Sequence, residues 1–63
     1  MQFFKVSAWP IDPIDWKDRP TWETIVSAML VGEAYDQGVV LFRAYCAEMG
    51  LEFEQFQIRS GSQ

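Results

Sequence analysis

The sequence predicts a small single α+β domain in β-α-α-β order, with two antiparallel strands packed on a helical hairpin. Three observations lead there. Residues 3–9, FFKVSAW, alternate in hydropathy as a half-buried strand does. Residues 21–31 and 37–49 each carry apolar side chains at helical spacing. Residues 51–59, LEFEQFQIR, return to alternation with one slip of phase.

In the first strand Phe4, Val6 and Ala8 fall on one face, and Phe3, Lys5, Ser7 and Trp9 on the other. Pro10 ends it by removing a ladder donor. The stretch that follows is unusual: WPIDPIDW, residues 9–16, repeats the triplet Pro-Ile-Asp and is bounded by tryptophans. Each proline fixes its own φ and biases the residue before it toward extended geometry, so this segment reads as a stiff crossover.

Residues 21–31, TWETIVSAMLV, place Trp22, Ile25, Val26, Met29 and Leu30 on one helical stripe. Asp18 or Thr21 would cap that helix, and Glu23 in its first turn would suit the helix dipole. VGEAYDQG, residues 31–38, reads as the link between helices, bracketed by Gly32 and Gly38, with Asp36 as the next N-cap. The second helix, 37–49, aligns Gly38, Leu41, Phe42, Tyr45, Cys46 and Met49, and Gly50 suits the left-handed position that ends it, with Leu51 folding back near Cys46. VVLF, residues 39–42, suits a strand as well as a helix; the AYCAEMG that follows favours helix. One helix running through 21–49 is the alternative, and two glycines and an aspartate in its middle count against it.

In the last strand Leu51 and Phe53 share one parity, and Phe56 and Ile58 the other. A bulge near Gln55 would bring all four to one face. The domain is expected to span residues 1–59, with 60–63 as a flexible C-terminal tail.

Composition bounds the function. The chain has 63 residues, 49% hydrophobic and 16% aromatic, with nine acidic and five basic side chains for a net charge of −4. It is too apolar for a disordered chain and small enough to be marginal alone. The charge shows no cationic footprint for phosphates, so direct nucleic-acid binding is not expected. The lone Cys46 points to a reducing compartment, and no stretch reads as a signal peptide or a membrane span. A cytoplasmic location is the expectation, in a host cytoplasm if the gene is viral.

Chemistry is sparse. There is no histidine, which removes Ser-His-Asp, Cys-His and the common zinc sets. Asp12, Asp15 and Asp18 recur every third residue, a spacing that does not fit a calcium loop but suits turns and capping. Cys46 reads as a small buried hydrophobe. No catalytic residue, cofactor or metal is expected, and the chain is read as a non-enzyme.

The aromatics exceed what a tiny core needs, and Trp and Tyr dominate binding hot spots. Trp22 sits on the apolar stripe and reads as core. Trp9, Ile11, Asp12, Ile14, Asp15, Trp16 and Asp18 in the stiff crossover, with Tyr35 and Asp36 in the link, are the candidate partner-binding residues. The function expected is a small acidic protein-binding module, an inhibitor or adaptor of a larger protein; short acidic chains of this kind occur among phage-encoded inhibitors of host defence, an analogy of composition alone. The alternatives are a homo-oligomeric accessory that self-associates, as a homodimer, through sheet edges and aromatics, and an acidic mimic that blocks a nucleic-acid-binding protein.

Overall fold

The computed structural model describes residues 1–12 and 19–62. In chain order these form β1 (Gln2–Pro10), β2 (Trp22–Ala28), α1 (Val31–Met49), a 3₁₀ turn (Phe53–Gln55) and β3 (Phe56–Ser62). The strands make one antiparallel sheet in the order β2-β1-β3, and α1 covers one face of it. The Cα envelope measures 36 × 24 × 13 Å, which leaves room for two layers and no third.

The α+β class stands, but the helical hairpin does not: the structure has one long helix, and a third strand replaces the other. Residues 22–28 alternate between the helix side (Trp22, Thr24, Val26, Ala28) and solvent (Glu23, Ile25, Ser27). The consecutive β-branched residues Thr24, Ile25 and Val26 favour this extended state. The apparent helical stripe breaks up: Ile25, Met29 and Leu30 are all exposed. Glu23, expected in a helical first turn, instead sits in β2 beside Lys5, with Nζ and Oε2 3.2 Å apart. Thr21 caps no helix; its N–H bonds the carbonyl of Ala8 at 2.9 Å where β2 begins.

Residues 31–38, expected as a link, are the first turns of α1. Asp36 is therefore mid-helix, and the N-cap is Leu30, which offers no side-chain bond. Gly38 is tolerated because of what it faces. A Cβ there would collide with the Val6 side chain. Helix and central strand step in parallel, with Ala34 beside Phe4 and Val6 in one cluster, Gly38 on Val6, and Phe42 with Ala8 in the next. Four helical residues rise about 6 Å and two strand residues about 6.6 Å, so small side chains on one element meet large ones on the other.

The end of α1 follows the expectation. Gly50 has φ 73°, and the Leu51 N–H bonds the Cys46 carbonyl at 2.9 Å. The phase slip after it is resolved by the 3₁₀ turn at Phe53–Gln55 rather than by a bulge. That turn delivers Phe53, Phe56 and Ile58 to one cluster around Phe42. Phe42 has Trp22 and Phe56 at 5.2 Å, Phe53 at 5.9 Å and Tyr45 at 6.0 Å between ring centroids. Ser60, Gly61 and Ser62 belong to β3, opposite Val6, Lys5 and Phe4.

Candidate partner-binding surface

The face of the sheet turned away from α1 has no layer over it among the described residues. Strand alternation decides what it carries. β1 contributes Phe3, Lys5, Ser7 and Trp9; β2 contributes Glu23, Ile25 and Ser27; β3 contributes Gln57, Arg59 and Gly61. Antiparallel pairing sets Lys5 against Ile25 and Ser7 between Glu23 and Arg59. Phe3 and Ile25 are therefore diagonal neighbours at one end, 63% and 48% exposed.

At the other end Trp9 lies half-buried along its own strand. Its indole Nε1–H donates to Ser7 Oγ at 3.1 Å. The Arg59 guanidinium carbon sits 5.5 Å from the Trp9 ring centroid. Such cation–π stacking contributes about 0.5–1 kcal/mol where water has access, and it leaves the guanidinium's in-plane donors for other groups. Between the two ends runs the Lys5–Glu23 pair, about half exposed on each side, so its contribution to stability is small.

Charge is divided between the layers. The open sheet face carries Lys5 and Arg59 against Glu23, whereas residues 31–55 carry Glu33, Asp36, Glu48, Glu52 and Glu54 against Arg43. Among the described residues the acidic excess thus lies in residues 31–55, and the sheet face is slightly cationic.

The residues singled out in the sequence are spread over this architecture. Trp9 is on the open face. Ile11 is 56% exposed just past it, with its N–H bonded to the Gln55 carbonyl at 2.9 Å, and Asp12 is exposed beside it. Tyr35 and Asp36 are exposed on the first half of α1, near the Phe4–Ala28 end of the core and in the other layer. They do not meet Trp9. Ile14, Asp15, Trp16 and Asp18 lie outside the described residues. The face residues not singled out, Phe3, Lys5, Glu23, Ile25 and Arg59, carried one signal: the strand parity that put Phe3, Lys5 and Trp9 together.

No cluster of three or more candidate metal-ligating side chains occurs among the described residues. Cys46 is buried, and desolvation first and the Glu54 carboxylate second push its thiol up from the usual range, so it stays protonated. A cleft among the described residues is lined by Pro10, Ile11, Arg19, Thr21, Leu51 and Phe56. No helix among the described residues is long and apolar enough to cross a membrane. Compared with family models, curated proteins and solved structures, the chain matches none.

Proposed function

We propose that the chain is a small acidic, non-enzymatic protein-binding module, an inhibitor or adaptor that docks a larger protein on the uncovered face of its sheet. The observation that carries this is the composition of that face. It exposes Phe3 and Ile25 at one end and presents Trp9 under Arg59 at the other, and among the described residues the second layer covers the opposite side. Aromatic and arginine anchors held in place before binding lose little entropy on docking. The Ser7 hydrogen bond and the Arg59 stack hold Trp9 in that way. Ile11 and Asp12 extend the surface beyond the strand end.

The test is a paired capture. Immobilised wild-type chain and the Phe3→Ser and Trp9→Ala variants are exposed to lysate from the native host, and retained proteins are identified by mass spectrometry. The reading expects one protein held by the wild type and lost by both variants, with both variants still folded by circular dichroism. Equal retention by all three would remove the sheet face as the docking surface. Repeating the capture as salt is raised separates the acidic-mimic alternative. Binding through the helix-layer carboxylates would weaken steeply, and aromatic docking would not.

A further inference from the structure

We propose that two copies of this chain pair antiparallel along β2, across a two-fold axis beside Ile25, to form one continuous six-stranded sheet. Both outer strands, β2 and β3, have a free edge among the described residues, and the two edges differ. β3 exposes Arg59 and ends in Ser60, Gly61 and Ser62, a polar and glycine-containing edge of the kind that discourages pairing. β2 has no such protection. It contains no proline or glycine, runs in unbroken one-to-one register with β1, and centres on Thr24, Ile25 and Val26. Its single charged residue, Glu23, is held by Lys5 of the same chain. A regular, β-branched edge is a template for another strand.

The layers above and below this edge point the same way. Gln37, Leu41 and Tyr45 follow one another at four-residue intervals on α1, so they share a flank. Gln37 Nε2 donates to the Ser27 carbonyl at 3.2 Å, and the Tyr45 ring is 6.3 Å from that of Trp22. That flank therefore runs along β2 from its end to its start. By that spacing Leu41, 47% exposed, falls between the two contacts and so level with the middle of the strand, and Ile25 at 48% is exposed on the other face. The edge is apolar on both sides at its midpoint.

The occupant follows from self-complementarity. A two-fold axis beside Ile25 pairs Trp22 with Ala28, Glu23 with Ser27, Thr24 with Val26, and Ile25 with its own copy. No like charges face each other, and the two Glu23 side chains lie about 13 Å apart along the strands, beyond the screening length at physiological salt. With α1 centred over β1, the two helices would stand three strand spacings apart, about 14 Å. Helices with side chains are about 10–12 Å across, so a narrow furrow is left for Leu41 and Tyr45 of both copies to fill. A seven-residue edge with these flanks is a small interface, so pairing in the micromolar range is expected.

The measurement is the mass of the intact chain by analytical ultracentrifugation across the micromolar range. The expected result is a rise from 7.3 kDa to twice that value with concentration. Ile25→Lys should hold the chain at monomer mass throughout. Leu41→Glu should do the same from the helix layer, away from the sheet face proposed to bind other proteins, so loss of pairing is distinguishable from loss of that docking. Gln57→Lys, on the exposed side of β3, should leave pairing intact, and circular dichroism checks that each variant is folded. A wild type that stays monomeric across the range would overturn the proposal. So would a dimer that survives Leu41→Glu and Ile25→Lys, or one that Gln57→Lys abolishes.

Discussion

Gly38 and Gly32 lie on the same helix and have opposite surroundings. A Cβ at Gly38 meets Val6, whereas one at Gly32 meets nothing within 4 Å. Gly38→Ala must push the helix off the sheet or distort Val6, and should cost about 1–3 kcal/mol in a thermal or urea melt. Gly32→Ala only gains helix propensity and should stabilise by about 0.5–1 kcal/mol. In the sequence both glycines bracket a link and Gly38 also falls on the apolar stripe of residues 37–49, but its contact with Val6 is tertiary and no local pattern reveals it. Cys46 yields a second residue-scale outcome. Burial and Glu54 raise its pKa in the folded state, so the folded chain holds the thiol proton more tightly than the unfolded one does. The resulting stability is complete below the unfolded thiol's pKa and is lost as pH climbs through the folded value. Melting temperature should therefore fall on the alkaline side of about 8.5, and Cys46→Ala should flatten that part of the profile.

At the scale of elements, β1, the end of α1 and the joining of Phe53, Phe56 and Ile58 in the core were legible, whereas Leu51, expected with them, is exposed and the last strand starts at Phe56 rather than at 51. The pairing of parity in Phe4, Val6 and Ala8 and the Gly50 stop needed no tertiary information. Residues 21–31 were not legible in the same way. Trp22, Ile25, Val26, Met29 and Leu30 fit a helical period, yet Trp22, Thr24, Val26 and Ala28 fit a strand with small and polar members, and the short window holds both. The tertiary sheet decides between them, because β1 would otherwise lack a neighbour on that side. The helix beginning at Val31 consequently starts without a capping side chain, at an extended Leu30 that is 66% exposed. Leu30→Asp supplies an acceptor to the free N–H groups and a favourable charge at the dipole, and should raise stability by about 1 kcal/mol in a denaturant titration. Gly50→Ala, at φ 73°, should lower it by about 1 kcal/mol.

At the scale of the whole molecule, one helix over three strands among the described residues leaves a core whose largest fully buried side chains there are Phe42 and Val6. Trp22 is half-buried yet packs against both buried clusters, and links them. Trp22→Ala should cost about 3 kcal/mol, a large part of the stability of so small a domain. Trp9→Ala removes a side chain on the open face and should cost about 1 kcal/mol or less while abolishing partner capture. Melts of the two variants, run beside the capture experiment, separate folding from docking. The candidate surface was half legible for the same reason as the fold: parity placed Trp9 with Phe3 and Lys5, while Ile25 and Arg59 join them only through a sheet order that no local pattern reveals.

The position of Cys46 also makes it a clock. Its side chain faces the sheet beside Phe42 and Ala8, 3% exposed, and the sequence contains no second thiol. A thiol-specific reagent added in excess can modify it only when the packing around it opens, so the labelling rate, compared with that of the unfolded chain, reports how often α1 lifts from the strands if that is the opening used. Stabilising α1 from its first turn, at Gly32 or Leu30, should slow labelling in proportion to the gain measured in melts. A variant that slows melting but not labelling would show that Cys46 is reached by a smaller, local opening near the helix end.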